Sequence, residues 1–126
     1  MVLSGDRQST LADRLNQLGA NAESEEELYT ALSAIVDDPN GYDLLLVDCD
    51  SFSDADIGQV AVATLRAVQS RVAVILISSS YVEQSFPQSR HEPICLRAPL
   101  SNLSLRVGVE HAMRDRLLWA AASVAA

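Results

Sequence analysis

Acidic and hydroxyl side chains follow three aliphatic segments of the chain, at the point where each segment ends. Asp48 and Asp50 follow a run of four aliphatic residues, Ser78 follows a second run, and Asp6 follows a short first one. If these segments are parallel strands, their carboxyl ends meet at one edge of a sheet, where open α/β proteins bind ligands. Carboxylates there can hold Mg²⁺, and a hydroxyl nearby can contact an anion.

Each of these residues also has a purely structural explanation. Asp48 and Asp6 are residue types that are common in turns. Asp50 can serve as an acid at a helix N-terminus, and the hydroxyl of Ser78 can bond to nearby backbone. Position alone leaves these alternatives open.

The elements that would position these residues follow from the apolar pattern. Residues 44–47 are continuously aliphatic, which is typical of a strand buried on both faces of a parallel sheet. Strand-like and helix-like segments alternate about five times, which predicts an α/β fold. We expect one five-stranded parallel sheet, doubly wound, in a three-layer sandwich with helices on both faces.

The element limits follow from local signals. Predicted strands are residues 2–4, 20–22, 44–47, 72–77 and 94–96. The first helix has Leu11, Leu15 and Leu18 inward and stops at Gly19, while Ser24 and Glu27 form a capping box for the second. Ser53 is expected to start the third helix, and Ser101 caps the last. Pro87 leaves room for only a short or distorted helix in residues 81–92.

Composition limits the function classes. The 126 residues fit one domain, and no apolar run approaches the length of a membrane helix. The N-terminus lacks the features of a signal peptide, so we expect a cytoplasmic protein with free thiols at Cys49 and Cys95. A net charge of −8 argues against direct nucleic-acid binding. No motif of a hydrolase or a zinc enzyme is present, so an enzyme is not expected.

Taken together, residues 2–113 resemble the receiver domain of two-component response regulators. The matching pieces are Asp6, residues 42–48, residues 75–79 and the turn 98–100. The resemblance implies that Asp48 accepts a phosphoryl group from a histidine kinase or phosphotransfer protein. It further implies that Asp6 and Asp48 bind Mg²⁺ and that the hydroxyl of Ser78 contacts the phosphate.

Several positions depart from that pattern. Arg7 stands where receivers carry a second acid, and Ala98 stands where they carry a lysine; all nine basic residues here are arginine. Cys95 replaces the usual aromatic of the last strand. We therefore predict an atypical receiver whose Mg²⁺ binding is weak or absent. The substitution Arg7→Asp should strengthen that binding. The alternatives are a phosphorylation-independent pseudo-receiver and, less favoured, a small-molecule binder on the same scaffold.

The last helix carries a second signal. Its apolar residues continue past the expected domain, which we place at 1–113, into an extension at 114–126 that could link to a downstream module. The stripe predicts a homodimer through this helix, with a frayed terminus as the alternative. We interpret His111 on the same helix as a solvated surface residue. The stripe comprises Val109, Met113, Leu117, Ala120 and Val124.

Overall fold

The sheet of this protein has five strands, all parallel, in the order β2-β1-β3-β4-β5. The computed structural model describes residues 1–89 and 91–125, with side chains as far as Arg114. The strand order is that of flavodoxin-like doubly wound folds, and the predicted fold class is confirmed. The strands are β1 Val2–Leu3, β2 Ser24–Glu25, β3 Leu44–Asp48, β4 Ala73–Ser78 and β5 Ile94–Arg97.

Helices cover both faces of this sheet. Leu45 and Val47 of β3 pack with α2 and α3 on one face, whereas Leu46 packs with α1 and α4 on the other. These three side chains are fully buried, because the strand lies at the centre of the sheet and alternate residues point to opposite faces. The helices are α1 Leu11–Gln17, α2 Leu28–Asp37, α3 Ile57–Ala67 and α4 Asn102–Ala125.

The second strand and second helix begin later than predicted. Residues 20–22 are not a strand, and the chain joins the sheet only at Ser24, which pairs with Val2. Ser24 is therefore unavailable as a cap. Instead the carboxylate of Glu27 accepts hydrogen bonds from the backbone N–H groups of Tyr29 and Thr30, at 3.1 and 2.7 Å.

The third helix also starts later than the sequence indicates. Residues Cys49–Ser51 form a short 3-10 turn directly after β3. The carboxylate of Asp54 then accepts a hydrogen bond from the N–H of Asp56 at 2.9 Å, and α3 begins at Ile57 rather than near Ser53. The competing local turn fixes the start of the helix.

The segment between β4 and β5 differs most from expectation. The predicted short helix is absent among the described residues of this segment. Ser85 instead forms an antiparallel bridge with Cys95, through N–H···O bonds of 2.8 and 3.0 Å. Backbone groups that a helix would satisfy internally are paired here with the outer edge of β5.

The last helix is partly buried within its own domain. Val109 and Met113 pack against the core on the α1 side, so this part of the predicted stripe does have a core beneath it. Leu117, Ala120 and Val124 lie outside the side chains that the structure describes. His111, expected to be a solvated surface residue, is only half-exposed, and its Nε2 lies 2.9 Å from the carbonyl oxygen of Pro87. Within the described chain, no helix combines the length and apolarity that crossing a membrane requires.

Candidate functional site

Asp48 lies at the carboxyl end of β3, where its neighbour is a serine. The register pairs Leu3 with Val47, which places the next residue, Ser4, beside Asp48. The hydroxyl of Ser4 donates a hydrogen bond of 2.9 Å to Oδ2 of Asp48. Ser4 is only 5% exposed, whereas Asp48 is half-buried. The position of Ser4 opposite Asp48 depends on strand register, so no local signal in the sequence pointed to it.

Asp6 is directed into its own loop. Its carboxylate accepts a hydrogen bond from the N–H of Gln8 at 2.9 Å, and its own N–H donates to the hydroxyl of Ser4 at 3.2 Å. Arg7 is 83% exposed and pairs with Glu26 at 3.0 Å. Asp6 and Arg7 therefore both have partners of their own, away from Asp48.

Ser78 is brought to the same edge, where it contacts Asp50. Its hydroxyl donates to Oδ1 of Asp50 at 3.0 Å and lies 2.8 Å from the hydroxyl of Ser80. The N–H of Ser79 donates to Oδ2 of Asp50 at 2.8 Å. Both oxygens of Asp50 are thus engaged, and the loops after β3 and β4 are tied together.

The electrostatics of Asp50 follow from these contacts. Burial is the largest single influence and acts to raise the pKa of this carboxyl. The hydrogen bonds from the Ser79 N–H and side chain and from the Ser78 hydroxyl together outweigh it, so the pKa of Asp50 lies below its usual value. Hydrogen bonds to an ionised carboxylate favour its charged form. Asp50 is consequently held as an anion by Ser78 and Ser79.

A third contact joins the loops after β1 and β3. The N–H of Gly5 donates to the hydroxyl of Ser51 at 2.8 Å, and that hydroxyl donates to the carbonyl oxygen of Asp48 at 2.7 Å. A Cβ on Gly5 would lie 2.7 Å from the backbone oxygen of Ser51, so the close approach requires glycine. The backbone that carries Asp48 is held by this chain of bonds.

The turn after β5 presents no lysine to the site. The N–H of Ala98 donates to the carbonyl oxygen of Ser78 at 3.2 Å, and the Ala98–Pro99 peptide bond is cis. The guanidinium of the exposed Arg97 lies 3.5 Å from the carbonyl oxygen of Val82, and the backbone N–H of Arg97 donates to Oε1 of Gln84. Arg97 therefore contacts the segment that precedes β5.

These residues do not fit the Mg²⁺ site that the resemblance implies. Within the part of the chain that the structure describes, no three His, Cys, Asp or Glu side chains are grouped closely enough to hold a metal ion. The side chain that contacts Asp48 is a hydroxyl donor, and both oxygens of Asp50 accept hydrogen bonds. Mg²⁺ depends on carboxylates that are free to offset its dehydration.

The two cysteines lie near Tyr81. Burial raises the pKa of the Cys49 thiol to about 11, and burial also raises the pKa values of Cys95 and Tyr81. Cys49 and Tyr81 pack against the core on the α3 side of the sheet. Because the thiolate is the reactive form, these thiols are poorly nucleophilic at neutral pH.

Comparisons with known proteins find no match. The chain matches no protein-family model, no curated protein and no solved structure. The class of protein is therefore defined by the fold itself, a doubly wound parallel α/β domain with acidic and serine side chains at the carboxyl edge of its sheet.

Proposed function

We propose that this chain is a pseudo-receiver, an interaction module that keeps the receiver fold and works without a phosphoryl group on Asp48. The observation that carries the proposal is the hydrogen bond from Ser4 to Asp48. A hydroxyl donor at this position stabilises an unmodified carboxylate and engages one of the two oxygens that a metal ion or a phosphoryl group would use.

The hydrogen bonds and the burial of the Ser78 hydroxyl support the same proposal. In the receiver family this hydroxyl turns toward a phosphate after transfer. Here it donates to Asp50 and also accepts a hydrogen bond from the N–H of Ser80 at 3.1 Å. Ser78 is only 6% exposed, so leaving these partners would break hydrogen bonds at a buried group, which is costly.

A second candidate function is an atypical receiver in which a histidine kinase or phosphotransfer protein phosphorylates Asp48. The observation in its favour is the position of Asp48 itself. It ends the central strand, it is half-exposed, and it lies at the sheet edge where doubly wound folds bind ligands. The two candidates share a fold and differ only in the chemistry of Asp48.

An interaction module needs a surface, and we place it on the first turns of α4. Leu103 is 72% exposed and Val107, one turn later, is 41% exposed. Residues four apart lie on the same side of a helix, so the two form one apolar patch. A symmetric dimer is the commonest way to bury such a patch, in keeping with the homodimer that the stripe on this helix predicts. Val109 and Met113 point into the domain core instead.

The first experiment distinguishes the two candidates. The purified chain is incubated with a small-molecule phosphoryl donor and Mg²⁺, and its intact mass is measured. The pseudo-receiver is expected to gain no phosphoryl mass and to behave like Asp48→Asn. A phosphoryl adduct that appears in the unaltered chain and disappears in Asp48→Asn would instead establish the second candidate.

The second experiment tests the surface. Sedimentation velocity of the unaltered chain is expected to show concentration-dependent dimers, and Val107→Glu should shift them to monomers. Gln59→Glu, at an exposed position of α3, serves as the matched control and should leave the dimers unchanged. An unaltered chain that stays monomeric at high concentration would contradict self-association.

A further inference from the structure

The outer edge of β5 is covered by residues 82–87, a segment that we call the strap. β5 is the last strand in the order of the sheet, so on its outer side it pairs with no other of the five strands. There the N–H of Ser85 donates to the carbonyl oxygen of Cys95 at 2.8 Å, and the N–H of Cys95 donates to the carbonyl oxygen of Ser85 at 3.0 Å. The strap thus takes the place of a neighbouring strand at Cys95.

A glutamine side chain extends this cover along β5. Backbone groups of alternate residues in a strand point to the same side, so the N–H of Arg97 points outward like that of Cys95. Oε1 of Gln84 accepts this N–H at 3.2 Å. Unpaired backbone groups on the edge of a sheet are a template for a strand of another chain. The strap therefore occupies the N–H groups through which β5 would pair with such a strand.

The strap contacts α4 as well as β5. Nε2 of Gln84 donates to the hydroxyl of Ser104 at 3.3 Å, and Nε2 of His111 lies 2.9 Å from the carbonyl oxygen of Pro87. The rings of Phe86 and His111 meet edge to face, with their centres 5.8 Å apart. Phe86 is also half-buried against the core on the α1 side. The carboxyl end of the strap is consequently its anchored end.

The other end of the strap is held to β5 by exposed residues. Val82 is 83% exposed, and Gln84 and Ser85, which make the hydrogen bonds to β5, are exposed as well. An exposed hydrogen bond contributes little net stability, because water bonds to the same groups once the bond is broken. Residues 82–85 can therefore leave the edge at a modest cost while Phe86 stays in place.

A second copy of this chain offers β5 the kind of bonds that the strap makes. In an antiparallel pair centred on Cys95, the backbone groups of the two Cys95 residues bond to each other, and the N–H of Arg97 reaches the carbonyl oxygen of Pro93 in the second copy. A twofold axis relates the two strands, which is the commonest symmetry of protein dimers. Because Pro93 has no N–H to give in return, this pairing does not displace the strap unaided.

From these contacts we infer that residues 82–87 form an autoinhibitory strap, which masks a surface on β5 for antiparallel pairing with β5 of a second copy. With the strap in place the edge is closed. With residues 82–85 released, two copies join their sheets through β5. This surface is separate from the apolar patch of Leu103 and Val107 on α4, and the inference does not depend on that patch or on the chemistry of Asp48.

The test releases the strap in chains that carry Val107→Glu, so that self-association through the α4 patch does not contribute. Ser85→Pro removes the N–H that bonds to Cys95, and Gln84→Ala removes the side chain that accepts the N–H of Arg97. In sedimentation velocity each variant is expected to dimerise at least about tenfold more strongly than Val107→Glu alone. The control for Gln84→Ala is Gln88→Ala, at an exposed position just after the strap, which should not alter dimerisation.

Cross-linking identifies the edge that pairs. Residues opposite each other in a hydrogen-bonded antiparallel pair have Cα atoms about 5.5 Å apart, a separation that a disulfide can span. Diamide, which takes up the electrons and protons of the two thiols, should therefore join the Ser85→Pro chains through Cys95. A further Cys95→Ser substitution should abolish the cross-link and leave the dimers, whereas Cys49→Ser should leave both.

The proposal is overturned if Ser85→Pro and Gln84→Ala keep the native circular dichroism spectrum and remain as monomeric as Val107→Glu alone. Dimers that form without a cross-link through Cys95 would show that another surface pairs, for example with the strap itself, and would also overturn it. If proline unfolds the domain, Gln84→Ala decides the question, because Gln84 is exposed. Equal dimerisation of Gln84→Ala and Gln88→Ala would show that the strap masks nothing.

Discussion

The hydroxyl of Ser4 donates a hydrogen bond of 2.9 Å to Oδ2 of Asp48, across the junction between β1 and β3. The two residues are 44 positions apart in the chain. Because Ser4 is buried, the bond is shielded from water and fixes the orientation of the carboxylate. Asp48 is thus part of the structural connection between two strands as well as the candidate acceptor.

Replacing Ser4 by alanine should lower the free energy of unfolding by about 1 to 2 kcal/mol, because the carboxylate of Asp48 loses its donor. Chemical denaturation measures the change. Ser33→Ala, at an exposed position of α2, is the matched control and should alter stability by no more than about 0.5 kcal/mol. Equal effects of the two substitutions would show that the Ser4 bond contributes nothing.

Ser4→Asp should bind Mg²⁺ more tightly than the unaltered chain does. It places a second carboxylate beside Asp48, and the two like charges favour a cation between them. We expect calorimetry to show a higher affinity for Mg²⁺ in this variant than in Arg7→Asp, because the side chain at position 7 points toward Glu26. Tight Mg²⁺ binding by the unaltered chain would contradict both this expectation and the pseudo-receiver.

Asp50 should make stability depend on pH. Its pKa is lower in the folded state than the value of about 4 in an unfolded chain, so its contribution is present above about pH 4 and is lost as the pH falls through the folded pKa. Thermal unfolding of Asp50→Asn should therefore differ from the unaltered chain most near neutral pH, and the difference should shrink in acid. The effect is small because Asp50 is exposed, and Asp13→Asn is the control for losing a surface carboxylate. A difference that grows in acid would contradict the assignment.

Gly58→Ala should destabilise the domain by about 1 to 3 kcal/mol, although alanine is the better helix former. A Cβ at this position of α3 would lie 3.0 Å from a methyl of Leu76 and 3.3 Å from Sγ of Cys49. Leu76 is fully buried in β4, so its methyl groups can move aside only by displacing other core side chains. Gln59→Ala, one residue later and exposed, is the control and should be nearly neutral. A Gly58→Ala variant with a higher free energy of unfolding than the unaltered chain would show that the neighbouring core side chains move to make room.

Gln69→Gly should raise the free energy of unfolding by about 0.5 to 1 kcal/mol, because glycine adopts a positive φ without strain. The same substitution at Gln59, inside α3, should cost about 1 kcal/mol. Chemical denaturation of both variants measures the two changes in the free energy of unfolding. If Gln69→Gly were destabilising, the side chain of Gln69 would be contributing more to the fold than its backbone conformation costs.

Cys49 should resist alkylation in the native protein. With its pKa raised to about 11 by burial, only about one thiol in a thousand is ionised at pH 8. Iodoacetamide treatment followed by mass spectrometry should show slow modification in buffer and fast modification in denaturant. Native modification as rapid as that of the unfolded chain would mean that the thiol is exposed.

Local sequence determined the framework of this protein. The aliphatic run of residues 44–47 indicated the central strand, and the structure places Leu45, Leu46 and Val47 in the core on both faces. The cap of the last helix was equally local, since the hydroxyl of Ser101 accepts a hydrogen bond from the N–H of Ser104 at 3.0 Å. Such features were predictable because they depend on residues close together in the chain.

Pairing between distant segments decided the rest. Whether Ser24 capped a helix or joined the sheet depended on β1, and the role of Gly58 depended on how closely α3 approaches Leu76. The site itself belongs to this second group. Ser4 became the partner of Asp48, in place of Asp6, only when the register of β1 on β3 was set, since a one-residue shift would turn every side chain of β1 to the other face.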